Sequence, residues 1–403
     1  MEIRPIFSAL LRNSAGAILV SLQIAITLAI VVNAVFLVKQ RVDKVSRPTG
    51  LDENNMFSLR VTGFGKDFKF HTMVRDDMAM LRRIPGVVAA TPSPQVPLSG
   101  SGSSTVYFTE PNEKGKKEPV AYYEVDEQGV AALGTQLASG QPFAAEDIEY
   151  REKESQAVPK SGKTIISKAM AEKLFPGENA LGKTIYDNQS QPLTITGVIE
   201  HIQGSWVDWN KLDHVMLQPM VTPGPSTLYI IRTAPGELDR VMSDVEVALK
   251  KAYQNRVVGK LHKVADLKRR SYSSDSMIVV ILGVVTALVV TFSALGIFGL
   301  ATFNVNTRIR QIGTRRAVGA RKLDIVRYFL VENWLVTSAG VALGCILALV
   351  GGYVLSKQYG LERLDLYYLV SGVAGLWVVG QLAAWQPSRR AAKVSPAMAT
   401  RNV

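Results

Sequence analysis

The sequence predicts an α-helical integral membrane protein with four transmembrane helices and a large extracytoplasmic mixed α/β domain inserted between the first and the second. Four stretches contain no Asp, Glu, Lys or Arg, namely residues 13–38, 276–307, 333–356 and 366–388. Each is about 20 residues or longer, which allows a helix to cross the hydrocarbon core of a bilayer. Roughly 235 mostly polar residues separate the first two stretches, enough for one or two folded domains.

The basic charge lies in short segments, and this orients the chain. The net charge is +12, yet residues 39–275 hold 31 Lys and Arg against 29 Asp and Glu. The excess lies at the N-terminus, between the second and third spans, and in the tail. Short loops rich in Lys and Arg stay in the cytoplasm, which predicts both termini inside and the large domain outside. Nucleic-acid binding would concentrate charge on the soluble domain, so contact with membrane lipids is favoured instead.

The domain organisation follows from these spans. The first apolar run is longer than the about 7–15 residues of a signal-peptide core, so a retained anchor is favoured over a cleaved signal. Apolar residues at helical spacing before it (Ile3, Ile6, Phe7, Leu10, Leu11) predict an amphipathic helix in the membrane interface. The predicted segments are the amphipathic helix 1–14, spans 15–38, 276–303, 333–356 and 367–386, the outer domain 39–275, the cytoplasmic loop 304–332, the short outer loop 357–366 and the tail 387–403.

The outer domain is predicted to alternate strands and helices. Period-two patterns predict strands, and apolar spacing ended by Pro-Gly at 85–86 and 176–177 predicts helices. A basic helix over 260–272 is expected to run straight into the second span, pairing with a helical extension at 39–45 to form a stalk. The strands are expected at 56–62, 120–125, 183–186, 193–200, 215–220 and 227–232, and the helices at 71–84, 167–175 and 238–253.

Small residues recur every four positions in two of the spans. In the first span they are Ala17, Ser21, Ala25 and Ala29, and in the third they are Gly340, Gly344, Ala348 and Gly352. Four-residue spacing puts each set on one helix face, where another backbone can approach closely. These stripes predict transmembrane helix packing or a dimer interface.

The sequence pattern around residues 177–184 argues against a phosphate loop, although the motif matches there. The segment fits G-x-x-x-x-G-K-[ST] from Gly177 to Thr184. That motif requires a strand before it and a helix after it, whereas the pattern here predicts a helix before and a strand after. The four histidines are scattered, so a metal site is not indicated either.

A glycine-punctuated basic motif lies between the second and third spans. It contains Arg308, Arg310, Gln311, Gly313, Arg315, Arg316, Gly319, Ala320 and Arg321, with Glu332 at the start of the third span. This pattern closely resembles the cytoplasmic loop of FtsX-like permeases of the MacB type, and the tail around Pro387 and Arg389 resembles that family's ending. Gln311 stands where the family usually has Glu, which removes one charge. Weaker matches at 140–143, 165–175, 181–183 and 193–198 extend the resemblance over nearly the whole chain.

The resemblance implies a non-catalytic permease subunit of an ABC transporter in a bacterial inner membrane. The chain offers no credible phosphate loop, so ATP and Mg are expected on a separate ATPase subunit that docks on the ten residues named above; no cofactor or metal is expected on this chain. The permease is expected to form a homo- or heterodimer and to transmit ATP-driven motion to its periplasmic domain. Efflux or export would then pass through a periplasmic adaptor protein and an outer-membrane duct.

Other functions remain open at the level of sequence. Within the family, the alternatives are an FtsX-like mechanical regulator of a periplasmic hydrolase and a lipoprotein-releasing permease. Outside it, the alternative is a membrane-anchored periplasmic sensor, which usually needs a cytoplasmic signalling domain larger than residues 304–332. An enzyme with an outer active site lacks a convergent set of residues in the sequence. The substrate is not readable from the sequence.

Overall fold

The computed structural model describes residues 14–65, 68–151, 158–360 and 362–395. The chain divides into two compact units, one formed by the residues before Arg47 and after Ser273 and the other by Arg47–Ser273. We call them the membrane unit and the outer domain. The amphipathic helix predicted over 1–14 lies, apart from its last residue, outside the described residues, as does the end of the tail from residue 396.

The described helices and strands follow in chain order. The helices are α1 (Ser14–Ser46), α2 (Phe70–Leu81), α3 (Gly129–Leu133), α4 (Lys168–Leu174), α5 (Leu238–Ala252), α6 (Val264–Ser271), α7 (Ser273–Thr307), α8 (Ile309–Ala317), α9 (Lys322–Tyr359) and α10 (Leu366–Ala391). The strands are β1 (Met56–Gly63), β2 (Val87–Ser93), β3 (Ser104–Glu110), β4 (Lys114–Val125), β5 (Leu137–Gly140), β6 (Glu149–Tyr150), β7 (Lys163–Ser167), β8 (Thr184–Tyr186), β9 (Pro192–Ile199), β10 (Val215–Val221), β11 (Ser226–Thr233), β12 (Arg256–Val258) and β13 (His262–Lys263).

The first sheet of the outer domain is antiparallel and covered by helices on one face. Its strand order is β12-β1-β11-β2, with β13 also paired to β1. Because side chains alternate along a strand, Phe57 and Leu59 of β1 pack with α2 and α5, while Met56 packs into the core of the second sheet. The first sheet therefore has buried residues on both faces.

The second sheet closes on itself as a small barrel. Its order is β4-β3-β8-β9-β7-β10, and β10 pairs again with β4 in parallel. Every residue of β10 is buried, as expected for a strand packed on both sides. The chain passes from β10 directly to β11 through residues 222–225, so this connection joins the two sheets.

A buried ion pair ties the first sheet to its helices. Arg256 donates through Nη1 to both oxygens of Asp77 (2.7 and 2.8 Å), and the Tyr229 hydroxyl donates to Asp77 Oδ2 at 2.7 Å. Arg256 Nε donates to the Leu249 carbonyl at 2.9 Å. Asp77 and Arg256 are almost fully buried. Removing one partner of such a pair leaves an uncompensated buried charge.

The membrane unit contains the predicted spans. Among the described residues, four helices are long and apolar enough to cross a membrane: α1, α7, α9 and α10. Helices α1, α9 and α10 share one apolar core with residues of α7. Together with the mixed α/β outer domain between α1 and α7, these helices confirm the predicted fold class.

The stalk prediction differs from the structure at one end. Helix α1 does continue through Ser46, beyond the predicted span. The basic segment 260–272 is not one continuous helix, because His262 and Lys263 pair with β1 as strand β13. Tyr272 is 1% exposed and lies at the break between α6 and α7. The Tyr272 backbone N–H donates to the Lys268 carbonyl at 3.0 Å, and this one residue separates α6, which belongs to the outer domain, from α7.

We expect Asp77→Asn to destabilise the outer domain, because Arg256 would be left buried without a counter-charge. The expected loss is about 3–5 kcal/mol, measured as a lower melting temperature and denaturant midpoint of the full chain in detergent. Asp244→Asn is the control, since Asp244 pairs with Arg240 at 2.7 Å with both side chains about half exposed and exposed pairs contribute little. Equal losses in the two variants would contradict the assignment.

Candidate functional site

The predicted docking loop is mostly helical. Helix α7 ends at Thr307, α8 covers Ile309–Ala317, and α9 begins at Lys322. The turn between α8 and α9 contains Gly319 at a φ of +103°, a conformation that favours glycine. Asp324 accepts a hydrogen bond from the Arg321 backbone N–H at 3.0 Å and so caps the start of α9.

Gly313 has a different setting from Gly319. It lies inside α8 and is buried, so it belongs to the packed face of this helix. The helix is held by a cluster of buried residues from α7, α8, α9 and the end of α10: Val305, Ile312, Ile325, Phe329, Ala391 and Ala392.

An internal ion pair holds the residue that caps the start of α8. Arg308 Nη1 lies 2.9 Å from Glu332 Oε2, and the Glu332 side chain is 4% exposed. Asn304 approaches the other Glu332 oxygen at 3.5 Å. The structure therefore brings Arg308 and Glu332 together as a brace between the start of α8 and α9, with both side chains largely buried.

The remaining docking candidates lie on the surface. Arg310, Gln311, Arg315, Gly319 and Arg321 are exposed. Half-buried positions are Arg316 and Ala320. The Arg315 guanidinium lies 4.6 Å from the centre of the Tyr328 ring, a cation–π distance that orients it. Gln311 lies on this same surface. The negative charge that the family's usual Glu would carry is therefore absent from an exposed position.

The two small-residue stripes pack against each other within one chain. A Cβ at Gly340 would lie 2.6 Å from the Ser21 carbonyl oxygen, and a Cβ at Gly344 would lie 3.0 Å from the Ala25 carbonyl oxygen. Hydrogen bonds join the same helices, from Ser21 Oγ to the Val336 carbonyl at 3.0 Å. Ala17 and Ala29 are half-buried along this contact, whereas Ala25, Gly340, Gly344, Ala348 and Gly352 are buried.

Two polar side chains inside the spans donate hydrogen bonds to helix backbone carbonyls. Gln23 donates to the Phe292 carbonyl at 2.9 Å. Asn33 donates to the carbonyls of Ala29 at 2.9 Å and of Ala348 at 3.1 Å. Such hydrogen bonds to backbone carbonyls contribute to helix packing in lipid.

Sequence reasoning missed an ion-pair cluster at the base of the outer-domain insertion. Asp275, 4% exposed, accepts from Arg41 Nη1 at 2.8 Å and from Lys44 Nζ at 2.7 Å. We call these three residues the Asp275 clamp. It joins the end of α1 to the first turn of α7, the two points where the chain leaves and re-enters the membrane unit. The sequence signal for this clamp was one acidic residue at the start of the second span and two basic residues after the first span.

The phosphate-loop match has the element order expected from the sequence. Helix α4 precedes residues 177–184, and strand β8 begins at Thr184. Lys183 pairs with Glu178 on the surface. A phosphate loop needs the N-terminus of a helix after it to bind phosphate. Here a strand follows the segment instead.

Comparisons with known proteins identify two matching families. Residues 17–254 match the MacB-like periplasmic core domain, and residues 277–396 match the FtsX-like permease C-terminal family. The chain is 25% identical over 81% of its length to the macrolide export ATP-binding/permease protein MacB of Marinobacter nauticus, covering 48% of that relative. It is 23% identical over 96% of its length to the protein of the same name from Neisseria gonorrhoeae, covering 58% of it. The chain therefore spans about half the length of the curated relatives it matches.

A solved structure also resembles part of the chain. The periplasmic region of MacB from Actinobacillus actinomycetemcomitans aligns over 55% of this chain and 94% of its own, with 16% identity and a TM-score of 0.35.

We expect Gly344→Ala to weaken the packing of α1 on α9, because the new Cβ would meet Leu28 Cβ at 2.9 Å and the Ala25 backbone at 3.0 Å. The variant should show a lower melting temperature and a lower yield of monodisperse protein in detergent. Gly283→Ala in α7 is the control, since a Cβ there meets nothing within 4 Å. If both variants behave alike, the close contact is not stabilising.

Proposed function

The chain belongs to the family of permeases with a MacB-like periplasmic core domain, and we propose that it is the permease subunit of an ABC transporter in a bacterial inner membrane. The exposed basic surface of α8 and the α8–α9 turn is the observation that carries this proposal. In it, ATP is hydrolysed by a separate ATPase subunit that docks on this surface.

The docking step is supported by how the basic surface is built. Arg310, Arg315 and Arg321 present their charge to solvent, and α8 is braced by Arg308 and Glu332. Helix α8 is held at its start by an ion pair and along its buried face by apolar contacts. We propose that it therefore moves as a rigid element. Charge complementarity with an acidic groove would set partner choice and association rate.

The coupling step is supported by the Asp275 clamp. Asp275 receives both Arg41 and Lys44, so the end of α1 and the start of α7 are held together. We propose that motion set by the ATPase reaches the outer domain through these two joined helix ends. This is mechanotransmission, in which substrate is engaged by the outer domain on the periplasmic side and does not cross the described spans.

The oligomer step is supported by the poor coverage of α7. In the most apolar segment of α7 only 6% is buried inside the chain, whereas the corresponding share is 33% in α1 and 39% in α9. Because the small-residue stripes are used within the chain, a second permease would pack on α7. Exposed apolar residues run along this helix: Val280, Ile281, Val284, Leu288, Phe292 and Leu295.

We further propose that the outer domain hands its substrate to a periplasmic adaptor and an outer-membrane duct. These relatives are named for macrolide export, which makes a macrolide-like compound a first substrate to test. Affinity purification of the native complex, followed by mass spectrometry, tests the ATPase and the adaptor together. Recovery of the chain without any ABC ATPase would contradict the proposed function.

We expect Arg315→Glu combined with Arg316→Glu to reduce assembly with the ATPase and the permease-stimulated ATP hydrolysis several-fold, because the docking surface changes sign. Arg389→Glu combined with Arg390→Glu is the control, since both side chains are exposed at the end of α10 and the charge change is equal. ATPase rates and co-elution are measured in nanodiscs. Wild-type behaviour of the first double variant would remove the docking assignment.

We expect Leu288→Cys, in a Cys345→Ala background, to form a disulfide-linked dimer under mild oxidation, because the side chain at 288 is 51% exposed on α7. Val378→Cys on α10 is the control, with 58% exposure. The measurement is a non-reducing gel of membranes. Equal cross-linking at both positions would indicate random collision and not a dimer through α7.

A further inference from the structure

A groove of about 470 Å³ lies between α9 and α10 in the membrane unit. Val326, Leu330 and Val331 of α9 form its apolar wall, and the half-exposed rings of Trp334 and Trp385 line it from the two helices. Its volume is in the range of ligand-binding pockets. Both helices are long and apolar enough to cross a membrane, so in a bilayer lipid molecules can reach this groove.

The groove extends to the charged end of α9. The Asn333 side-chain amide donates to the Gly380 carbonyl at 3.0 Å, which sets the two consecutive helices level at this point. With a rise of about 1.5 Å per residue, Arg327 lies about 9 Å and Trp385 about 7.5 Å from that level, toward the same end. This end lies outside the charge-free stretch 333–356. Trp and Arg are typical of the boundary where lipid headgroups lie.

Arg327 lines the groove and has a free guanidinium. It is exposed, and it has no hydrogen-bond or ion-pair partner among the described residues. By contrast, Arg308 pairs with Glu332, and Arg315 lies over the Tyr328 ring. Side chains of a helix lean toward its N-terminus, so the Arg327 guanidinium lies over the preceding turn, at the outer end of the groove.

The surrounding charge favours an anionic headgroup. None of the described residues that line the groove is acidic. Residues 308–327 hold seven Lys and Arg against Asp324 alone, and Asp324 accepts from the Arg321 backbone N–H. A basic segment of this kind attracts anionic lipids. A choline group would have the two indole rings as partners but would be repelled by Arg327, which makes phosphatidylcholine the critical comparison.

We propose that this groove binds one anionic phospholipid of the surrounding membrane, with its phosphate paired to Arg327. One acyl chain packs on Leu330, Val331 and Trp334, and the glycerol region contacts Trp385. The site goes beyond the proposed transporter role, because lipid binding requires neither the ATPase nor a second permease. Failure of one proposal therefore leaves the other standing.

Lipid retention measures the headgroup preference directly. The full chain is placed in nanodiscs made of equal amounts of phosphatidylglycerol and phosphatidylcholine with identical acyl chains. The lipids that remain bound to the released protein are counted by native mass spectrometry. We expect phosphatidylglycerol to be retained at least about fivefold over phosphatidylcholine, since one arginine at an anionic lipid contributes about this factor.

Three variants test which residues hold the lipid. Arg327→Gln should lower the preference for phosphatidylglycerol about fivefold. Arg363→Gln is the matched control, because Arg363 is exposed in the connection between α9 and α10, and it should retain the wild-type preference. Val331→Trp fills the apolar wall and should lower the retention of phosphatidylglycerol without any change of charge. Melting curves and size-exclusion profiles verify that each variant is folded.

Tryptophan fluorescence tests where the lipid lies. Brominated acyl chains quench an indole ring that they contact, and the contribution of Trp385 is the difference between the wild type and Trp385→Phe. We expect brominated phosphatidylglycerol to quench this contribution more strongly than brominated phosphatidylcholine. Absence of quenching by either lipid would show that protein covers the groove, either residues 1–13 or a second copy of the chain, and would overturn the proposal.

Three results of the retention experiment would also overturn it. These are equal retention of the two lipids by the wild type, an unchanged preference in Arg327→Gln, and equal losses in Arg327→Gln and Arg363→Gln. If Arg327→Gln does not fold, unchanged retention of phosphatidylglycerol in Val331→Trp overturns the proposal instead.

Discussion

The close contact between α1 and α9 is the constraint on which the membrane unit depends. Lipid supplies no hydrophobic driving force between helices, so packing and interhelical hydrogen bonds must hold them. Gly340 and Gly344 let the backbones approach, and Ser21 and Asn33 donate to carbonyls of α9 across the contact. Helices from opposite sides of the outer-domain insertion are thereby fixed together. The same contact uses up both small-residue stripes, which leaves α7 as the helix with most apolar surface uncovered.

The Asp275 clamp adds an electrostatic tie to this packing. The outer domain is inserted between α1 and α7, so any force between the two units along the chain passes through their ends. Arg41 and Lys44 share one nearly buried carboxylate, and a carboxylate with two cationic partners is far less costly to bury than an isolated one. The two ion pairs therefore hold the end of α1 against the start of α7. A brace of the same kind, Arg308 with Glu332, ties α8 to α9.

Sequence patterns predicted the elements whose periodicity is undisturbed. The spans follow from the length of the stretches without charged residues, and β1, β11 and α5 follow from apolar spacing. Strand β3 was missed because its hairpin turn uses Asn112 and Glu113 at positive φ, where Asn-Gly is the recognisable signal. The pairing of His262 and Lys263 with β1 and the pairing of Arg308 with Glu332 both depend on how distant segments fold together. Contacts of this kind join residues distant in sequence, so no local pattern records them.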